Sequence, residues 1–332
     1  MIKITSSTYK KAHQQLLQWY HKNKRSLPWR LDQDPYKIWL SEVMLQQTTV
    51  VAVIPYFDKF LKLFPNVKVL AKSPIELVLE NWAGLGYYSR ARNLHEAAKF
   101  FAKNGFPQQA IELEKVKGIG PYTSRAVASI AFNDPVGVLD GNVIRVLTRY
   151  FGLKINWWET ASKKLLQSMA DELAQRGDSG ATNQALMELG ATICTPQKTS
   201  CPLCPWAATC QAFEKNMVKD LPLKKQKRSS EIWLWNVHLI EKDKKLALTK
   251  NDYLPFLKGT YIFPGTAEKL SAKPEDFDLN HSITHHKIYI KISTNKKNKL
   301  LKETLFVHPQ EMAKINPSSV LKKIQQKAKE LN

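Results

Sequence analysis

The sequence predicts two domains of different class, an all-α domain followed by a smaller α+β one. Three observations carry that expectation: helical periodicity runs almost unbroken to about residue 217, four cysteines crowd into the end of that region, and short β-rich runs replace the helices after residue 230. With 332 residues the chain can close two cores at roughly 100 to 200 residues per domain. Its 43% hydrophobic content is too high for a disordered chain. No stretch approaches the ~20 apolar residues of a membrane span, since runs such as 50–54 meet Pro55.

Helices are expected at 8–21, 36–47, a following segment through Phe64, 73–81, 91–104, 111–116, 123–133, 141–151, 159–176 and 181–193. Asp34-Pro35, Ser73-Pro74 and Thr123 mark starts, and Gly105, Gly118 and Gly152 mark stops. The segment 218–230 is basic, carries Pro222 and has few apolar residues, which reads as a linker between domains 1–217 and 231–332, with the break near residue 225. A solvated connector, a phosphate contact and a nuclear address all fit Lys224 to Arg228. Beyond it, strands are expected at 232–240, 245–249, 288–292 and 300–308, closed by a helix over 319–331. Internal repeats are lacking.

Fifty Lys and Arg against 29 Asp and Glu leave a formal charge of +21. Residues 1–220 carry 28 basic and 18 acidic groups and residues 221–332 carry 22 and 11, so the shorter second part is the more basic. Such an excess is costly in self-repulsion and fits a polyanionic partner, nucleic acid in preference to an anionic lipid surface. The polar, basic start through Lys11 has no apolar core of a secretory signal, and an intracellular, cytoplasmic or nucleoid-associated location is expected.

All four cysteines lie within a 17-residue stretch as Cys194-x6-Cys201-x2-Cys204-x5-Cys210. Too few residues separate them to place them apart, so four thiolates around a soft metal are expected. Zinc and a [4Fe-4S] cluster both accept four cysteines. Upstream, Gly118 and Gly120 sit one residue apart between expected helices, freeing the backbone for a tight turn whose N–H groups face a phosphate: a helix-hairpin-helix signature.

Two carboxyl groups stand in contrasting surroundings. Asp140, in Leu139-Asp140-Gly141-Asn142-Val143, immediately precedes a helical pattern, where an N-cap and the helix dipole favour its ionised form. Glu42 has Ile38, Trp39 and Leu45 at helical spacing, so desolvation opposes its ionisation unless Arg25 or Arg30 pairs with it. An acid and an anion could then share one site.

These segments, with Leu27-Pro28-Trp29-Arg30, the run from Trp39 to Thr48 and the run from Gly84 to Leu94, resemble the MutY-type adenine DNA glycosylases over the first 215 or so residues. The cysteine spacing is similar to the [4Fe-4S] loop of that family and of endonuclease III, where its role is structural and DNA-docking. The resemblance implies removal of adenine mispaired with 8-oxoguanine or guanine in double-stranded DNA, by a monomer. It places the general acid on Glu42 and the oxocarbenium stabiliser on Asp140, with Tyr122 and Asn142 as positioning groups. It puts Trp29, Arg30, Leu45 and Gln184 in the adenine pocket, and Gln47, Thr48, Leu85 and Tyr87 at the 8-oxoguanine and the intercalating wedge. Tyr122 stands where endonuclease III carries its lysine nucleophile, which implies a monofunctional hydrolase. An endonuclease III-like lyase and a non-catalytic DNA-binding protein are the competing readings.

The second domain resembles the family's Nudix-like module less closely. Tyr261-Ile262-Phe263-Pro264-Gly265 is similar to its Trp-x-Phe-Pro-Gly turn, but the segment from Gly265 to Pro274 lacks the glutamates of a working Nudix box, so pyrophosphatase activity is not expected. Ile283-Thr284-His285 resembles the lesion-sensing Phe-Ser-His loop, keeping the hydroxyl and the imidazole and losing the aromatic ring.

Overall fold

The computed structural model describes residues 5–226, 229–294, 303–316 and 318–331. It divides into two compact units, Met1–Lys225 and Gln226–Asn332. The first holds twelve α-helices among its described residues: α1 (Ser6–Asn23), α2 (Pro35–Leu45), α3 (Val50–Leu63), α4 (Val67–Lys72), α5 (Ile75–Trp82), α6 (Tyr88–Asn104), α7 (Ala110–Leu113), α8 (Pro121–Phe132), α9 (Gly141–Tyr150), α10 (Thr160–Ala174), α11 (Ser179–Thr192) and α12 (Gln211–Glu214). None of the described helices is long and apolar enough to cross a membrane.

Capping chemistry sets several starts. Asp34 accepts from the Tyr36 N–H with Pro35 in the first turn, Asn66 caps α4, Asp140 caps α9 and Asp178 caps α11. Several expected boundaries shift by a few residues, two of them for plain local reasons. α8 begins at Pro121 behind Gly120, so Thr123 is no cap but a buried residue whose hydroxyl meets Gln46 Nε2 at 3.2 Å. Helix α2 stops at Leu45 because the chain turns through Gln47 at φ 57°. Inside the unit, Trp39, Trp82, Phe57, Phe60, Phe64 and Phe101 are buried as one aromatic core, with Trp39 edge-on to Phe101 at 5.0 Å and Phe101 stacked on Phe106 at 4.0 Å.

Gly118 forms the hairpin between α7 and α8 at φ +91°, where an added Cβ would meet the Asn93 Cβ at 2.8 Å. Part of the basic stretch expected to be a linker packs onto this unit: Leu221 is buried, its carbonyl accepts from Arg149 Nε at 2.8 Å, and the Leu223 carbonyl accepts from Trp157 Nε1 at 3.0 Å. Lys227 and Arg228 lie outside the described residues, as do residues 300–302 of the expected last strand.

The second unit contains β1 (Glu231–His238), β2 (Glu241–Lys242), β3 (Lys245–Lys250), β4 (Tyr261–Ile262), β5 (Gly265–Leu270), β6 (Leu279–Ile283), β7 (His286–Ser293), β8 (Thr304–Val307), α13 (Met312–Ile315) and α14 (Ser319–Leu331). One sheet runs β5-β1-β7-β6; β1 is antiparallel to β5 and parallel to β7, with Glu231 opposite His286. The other has the order β2-β3-β4, with β8 also on β3. Trp235, Leu248, Phe263, Ile288, Ile290, Leu321 and Ile324 form the core. Strands β5 and β6 escape sequence reading because polar residues such as Thr266, Glu268, Asn280 and Ser282 leave them without a strong apolar alternation.

Candidate active site

The first unit opens into a cavity of about 700 Å³. Trp29 and Arg30 reach it from a 3-10 turn (Pro28–Arg30), Glu42 and Leu45 from α2, Tyr122 from α8, Asp140 and Asn142 from the start of α9, and Gln184, Met187 and Glu188 from α11. Gln47, Thr48, Gly118 and Gly120 line the same cavity. Leu85 and Tyr87 do not line it, and Thr284 and His285 belong to the second unit.

Glu42 is 6% exposed. Its Oε2 accepts from the Tyr122 hydroxyl at 2.8 Å. Burial pushes the Glu42 carboxyl up to about 7; the Tyr122 hydrogen bond opposes that rise, the nearby charge of Asp140 adds to it, and Arg30 opposes it more weakly. Tyr122 has one proton and two acceptors, Glu42 and the Met187 sulfur at 3.2 Å, and burial above all keeps that phenol far from ionising. A protonated Glu42 can donate back to the tyrosine oxygen while the phenol turns toward sulfur, so the pair accommodates either charge state.

The arginines that could have neutralised Glu42 are bound elsewhere. Arg25 grips Glu188 through Nε at 2.6 Å and Nη2 at 2.8 Å, and Arg30 Nη2 donates to the same carboxylate at 2.9 Å. Burial tends to raise Glu188, but the Arg25 hydrogen bond and the Arg30 charge outweigh it and hold the group below its ordinary range. Glu188 was not among the expected site residues; its position four residues after Gln184 on α11 is the signal that would have placed it on the same face. Gln184 itself accepts from the Tyr20 hydroxyl at 2.8 Å.

Asp140 accepts from the Val143 N–H at 2.7 Å and from Asn142 Nδ2 at 2.8 Å. Asn142 Oδ1 in turn accepts from Arg145, which also donates to the carbonyls of Gly190 and Cys194. α11 approaches closely here: a Cβ on Gly190 would lie 2.6 Å from the Asn142 Cβ. The two acidic groups thus face one cavity with opposite environments, one buried with no ion-pair partner, the other held by donors at a helix N-terminus.

Arg90 is a second residue the sequence did not flag. Buried in α6, it donates to the carbonyls of Val43, Met44 and Gln46 at the end of α2, and to those of Leu85 and Gly86. Its charge meets the negative end of a helix dipole instead of a carboxylate. It therefore fixes both left-handed turns, at Gln47 (φ 57°) and Tyr87 (φ 48°), and leaves Tyr87 55% exposed.

Away from the cavity the four cysteines, with Arg149, Ile193 and Phe213, surround a small apolar hollow. Burial pushes Cys204 up to about 12 and raises Cys210, while backbone N–H groups of Trp206 and of Phe213 and Ala212 oppose the rises. Arg149 Nη1 lies 3.4 Å from the Cys194 sulfur. Buried sulfurs already ringed by N–H donors suit a metal centre, whose positive charge makes thiolates stable there.

Residues 40–174 match the family of HhH-GPD superfamily base excision DNA repair proteins. An adenine DNA glycosylase of Buchnera aphidicola subsp. Baizongia pistaciae is 37% identical over 309 residues, spanning 90% of this chain and 84% of its own length. The chain belongs to the adenine DNA glycosylase family. Among solved structures, a thermostable thymine-DNA glycosylase is 29% identical with a TM-score of 0.57, covering 62% of this chain and 97% of that one. A trapped endonuclease III–DNA covalent intermediate has the same fold, at 21% identity and a TM-score of 0.54 over 64% and 99% of the two chains. The protein is thus a base-excision repair enzyme, an adenine DNA glycosylase. Its match to the family member is too long to be confined to the helical unit.

Two expectations follow from the geometry. Because Glu42 is raised when folded, it adds stability that is fully present below about 4.5 and is lost as pH rises through about 7. Glu42→Gln should therefore stabilise the protein at pH 8, by on the order of 3 kcal/mol, in thermal or denaturant unfolding; a variant no more stable than the parent would contradict the buried, uncompensated carboxyl. Arg90→Lys keeps the charge but cannot span both turns, and should cost about 2 to 4 kcal/mol with faster proteolysis around 84–87. An unchanged melting temperature would remove Arg90 from this role.

Proposed function

We propose that this enzyme hydrolyses the N-glycosidic bond of adenine mispaired with 8-oxoguanine or guanine in double-stranded DNA, acting as a monomer and without strand cleavage. The observation that carries the reading is Glu42: a buried carboxyl poised near 7, hydrogen-bonded to Tyr122, in one cavity with Asp140. Adenine leaves poorly until a ring nitrogen is protonated, so Glu42 delivers a proton to N7 of the extruded base and afterwards takes one from the attacking water. The departing base leaves a cationic, oxocarbenium-like sugar. Asp140, oriented by Asn142 and the Val143 N–H, supplies the negative charge that stabilises it.

The pocket supports the assignment. Trp29 and Leu45 offer apolar walls to a purine, and Arg30 and Gln184 bring polar groups to its edges. Gln47 and Thr48 at the mouth, with Leu85 and Tyr87 in the turn that Arg90 binds, serve the opposite base and the wedge. No lysine is among the described residues lining the cavity, and Tyr122 cannot form a Schiff base; this favours the hydrolase over the lyase. Gly118 and Gly120 provide the backbone hairpin for a phosphate beside the cavity.

Cys194, Cys201, Cys204 and Cys210 would hold a [4Fe-4S] cluster that orders their loop for DNA docking. Through Arg145 and Arg149 that loop contacts the helix that begins at Asp140. The second unit, from residue 231 after the 218–230 segment, is assigned as the Nudix-like reader of 8-oxoguanine, with Thr284 and His285 in a turn where Thr284 takes φ 55°.

The deciding assay is single-turnover release of adenine opposite 8-oxoguanine, opposite guanine, and from a duplex carrying 8-oxoguanine opposite cytosine, with alkali added only afterwards. Adenine should be freed from the first two, kcat/KM should fall as pH rises through about 7, and Glu42→Gln should lose at least ~1000-fold in rate while still binding DNA. Release at the parental rate by that variant would end the acid assignment, and efficient borohydride trapping would reinstate the lyase. Removing residues 226–332 should reduce the preference for 8-oxoguanine over guanine more than it reduces excision itself; equal losses would count against a lesion-reading second unit.

A further inference from the structure

The turn between β6 and β7 breaks the alternation of a strand. Neighbouring residues in a strand point to opposite faces, yet with Thr284 in the left-handed region the rings of His285 and His286 lie together, their centroids 4.0 Å apart. Across the parallel pairing Glu231 is opposite His286, and the Glu231 N–H donates to the His285 carbonyl at 2.9 Å. Donor atoms from Glu231, His285 and His286 all lie within 4.8 Å of one another.

The hydrogen bonds around His286 suggest what belongs between them. Its Nδ1 faces the Ile283 carbonyl at 3.3 Å, which can only accept, so Nδ1 carries the proton there. That leaves Nε2 turned to Glu231 Oε2, 3.4 Å away. A cation or a proton fits between the two atoms. The separation is long for a hydrogen bond and equals the edge, about 3.3 Å, of a tetrahedron with ~2.0 Å metal–ligand bonds. A backbone carbonyl orienting the distal imidazole nitrogen is the usual second partner of a metal-bound histidine.

We infer that Glu231, His285 and His286 form a binding site for a divalent transition metal, zinc by preference, separate from the cysteine loop. Two imidazoles and a carboxylate are a borderline donor set, suited to zinc over calcium or magnesium. Lys269 occupies Glu231 Oε1 at 2.7 Å and the Trp233 indole donates to Oε2 at 3.1 Å, so the ion takes the remaining lone pair of Oε2 and leaves Lys269 in place. The fourth position is open to water. Occupancy would fasten the start of β1 to the 283–286 turn. The inference rests on these contacts alone and stands or falls apart from the proposed lesion recognition.

The test is calorimetric titration of the full-length holoprotein with ZnCl2, with visible absorption followed so that uptake by the cysteines is detected. One equivalent should bind without loss of that absorption, and His286→Ala, His285→Asn and Glu231→Gln should each weaken binding about tenfold or more. Saturating zinc should raise the melting temperature of the parent and not of the variants. His285→Asn alters a partly exposed side chain and guards against misfolding of the other two. Absence of zinc binding up to about 100 μM would overturn the site in favour of a plain histidine–glutamate ion pair, and equal binding by parent and all variants would place the zinc elsewhere.

Discussion

Arg25 and Arg30 both close on Glu188, and the chemistry of the cavity depends on where those two charges go. Had either arginine met Glu42, that carboxyl would have been a stable anion and useless as a proton donor. Glu188 removes both cations from competition, and Glu42 is left with a phenol for a partner. Burial then sets its proton affinity. The cost of keeping an unpaired acid inside the unit is carried by the surrounding core of Trp39, Phe57 and their neighbours, a common arrangement in which a buried ionisable group is held at the expense of local stability.

Backbone groups do much of the remaining placement. Asp140 is held by the Val143 N–H and by Asn142, and its helix is tied through Arg145 and Arg149 to the first residue of the cysteine loop. Arg90 does the equivalent for the opposite rim, gathering carbonyls from the end of α2 and from the 85–86 turn. In both places a guanidinium spans segments distant in sequence, and its planar array of donors suits it to the task better than a lysine ammonium would be. The close approach at Gly190 lets α11 bring Gln184, Met187 and Glu188 to the same cavity.

The second unit solves a different problem. A parallel pair, β1 with β7, sits between antiparallel neighbours, so the sheet core is apolar on Trp235, Ile288 and Ile290 while its ends carry polar groups. One of those ends holds the Thr284 turn, where a left-handed residue places two imidazoles beside a carboxylate. The proposed lesion contacts and the inferred metal site of this unit both fall at that turn, at the end of a sheet, a usual place for a recognition element.

Much of this was already written in the sequence. The change from helical to β-rich texture and the charge of +21 with glycines arranged as a hairpin required no coordinates, because each is a local or compositional signal. The resemblance to adenine DNA glycosylases was equally legible, and the match to a family member over 309 residues agrees with it. Glu42 among apolar neighbours and Asp140 ahead of a helix were likewise visible from spacing alone. What tertiary structure decided was which charges meet. Glu188 as the partner of Arg25 and Arg30, Arg90 as a clamp on distant carbonyls, Leu221 packed instead of solvated and the polar strands β5 and β6 all depend on contacts between residues far apart in the chain. Periodicity reports the face a residue occupies; electrostatic pairing is settled only when folding brings two faces together.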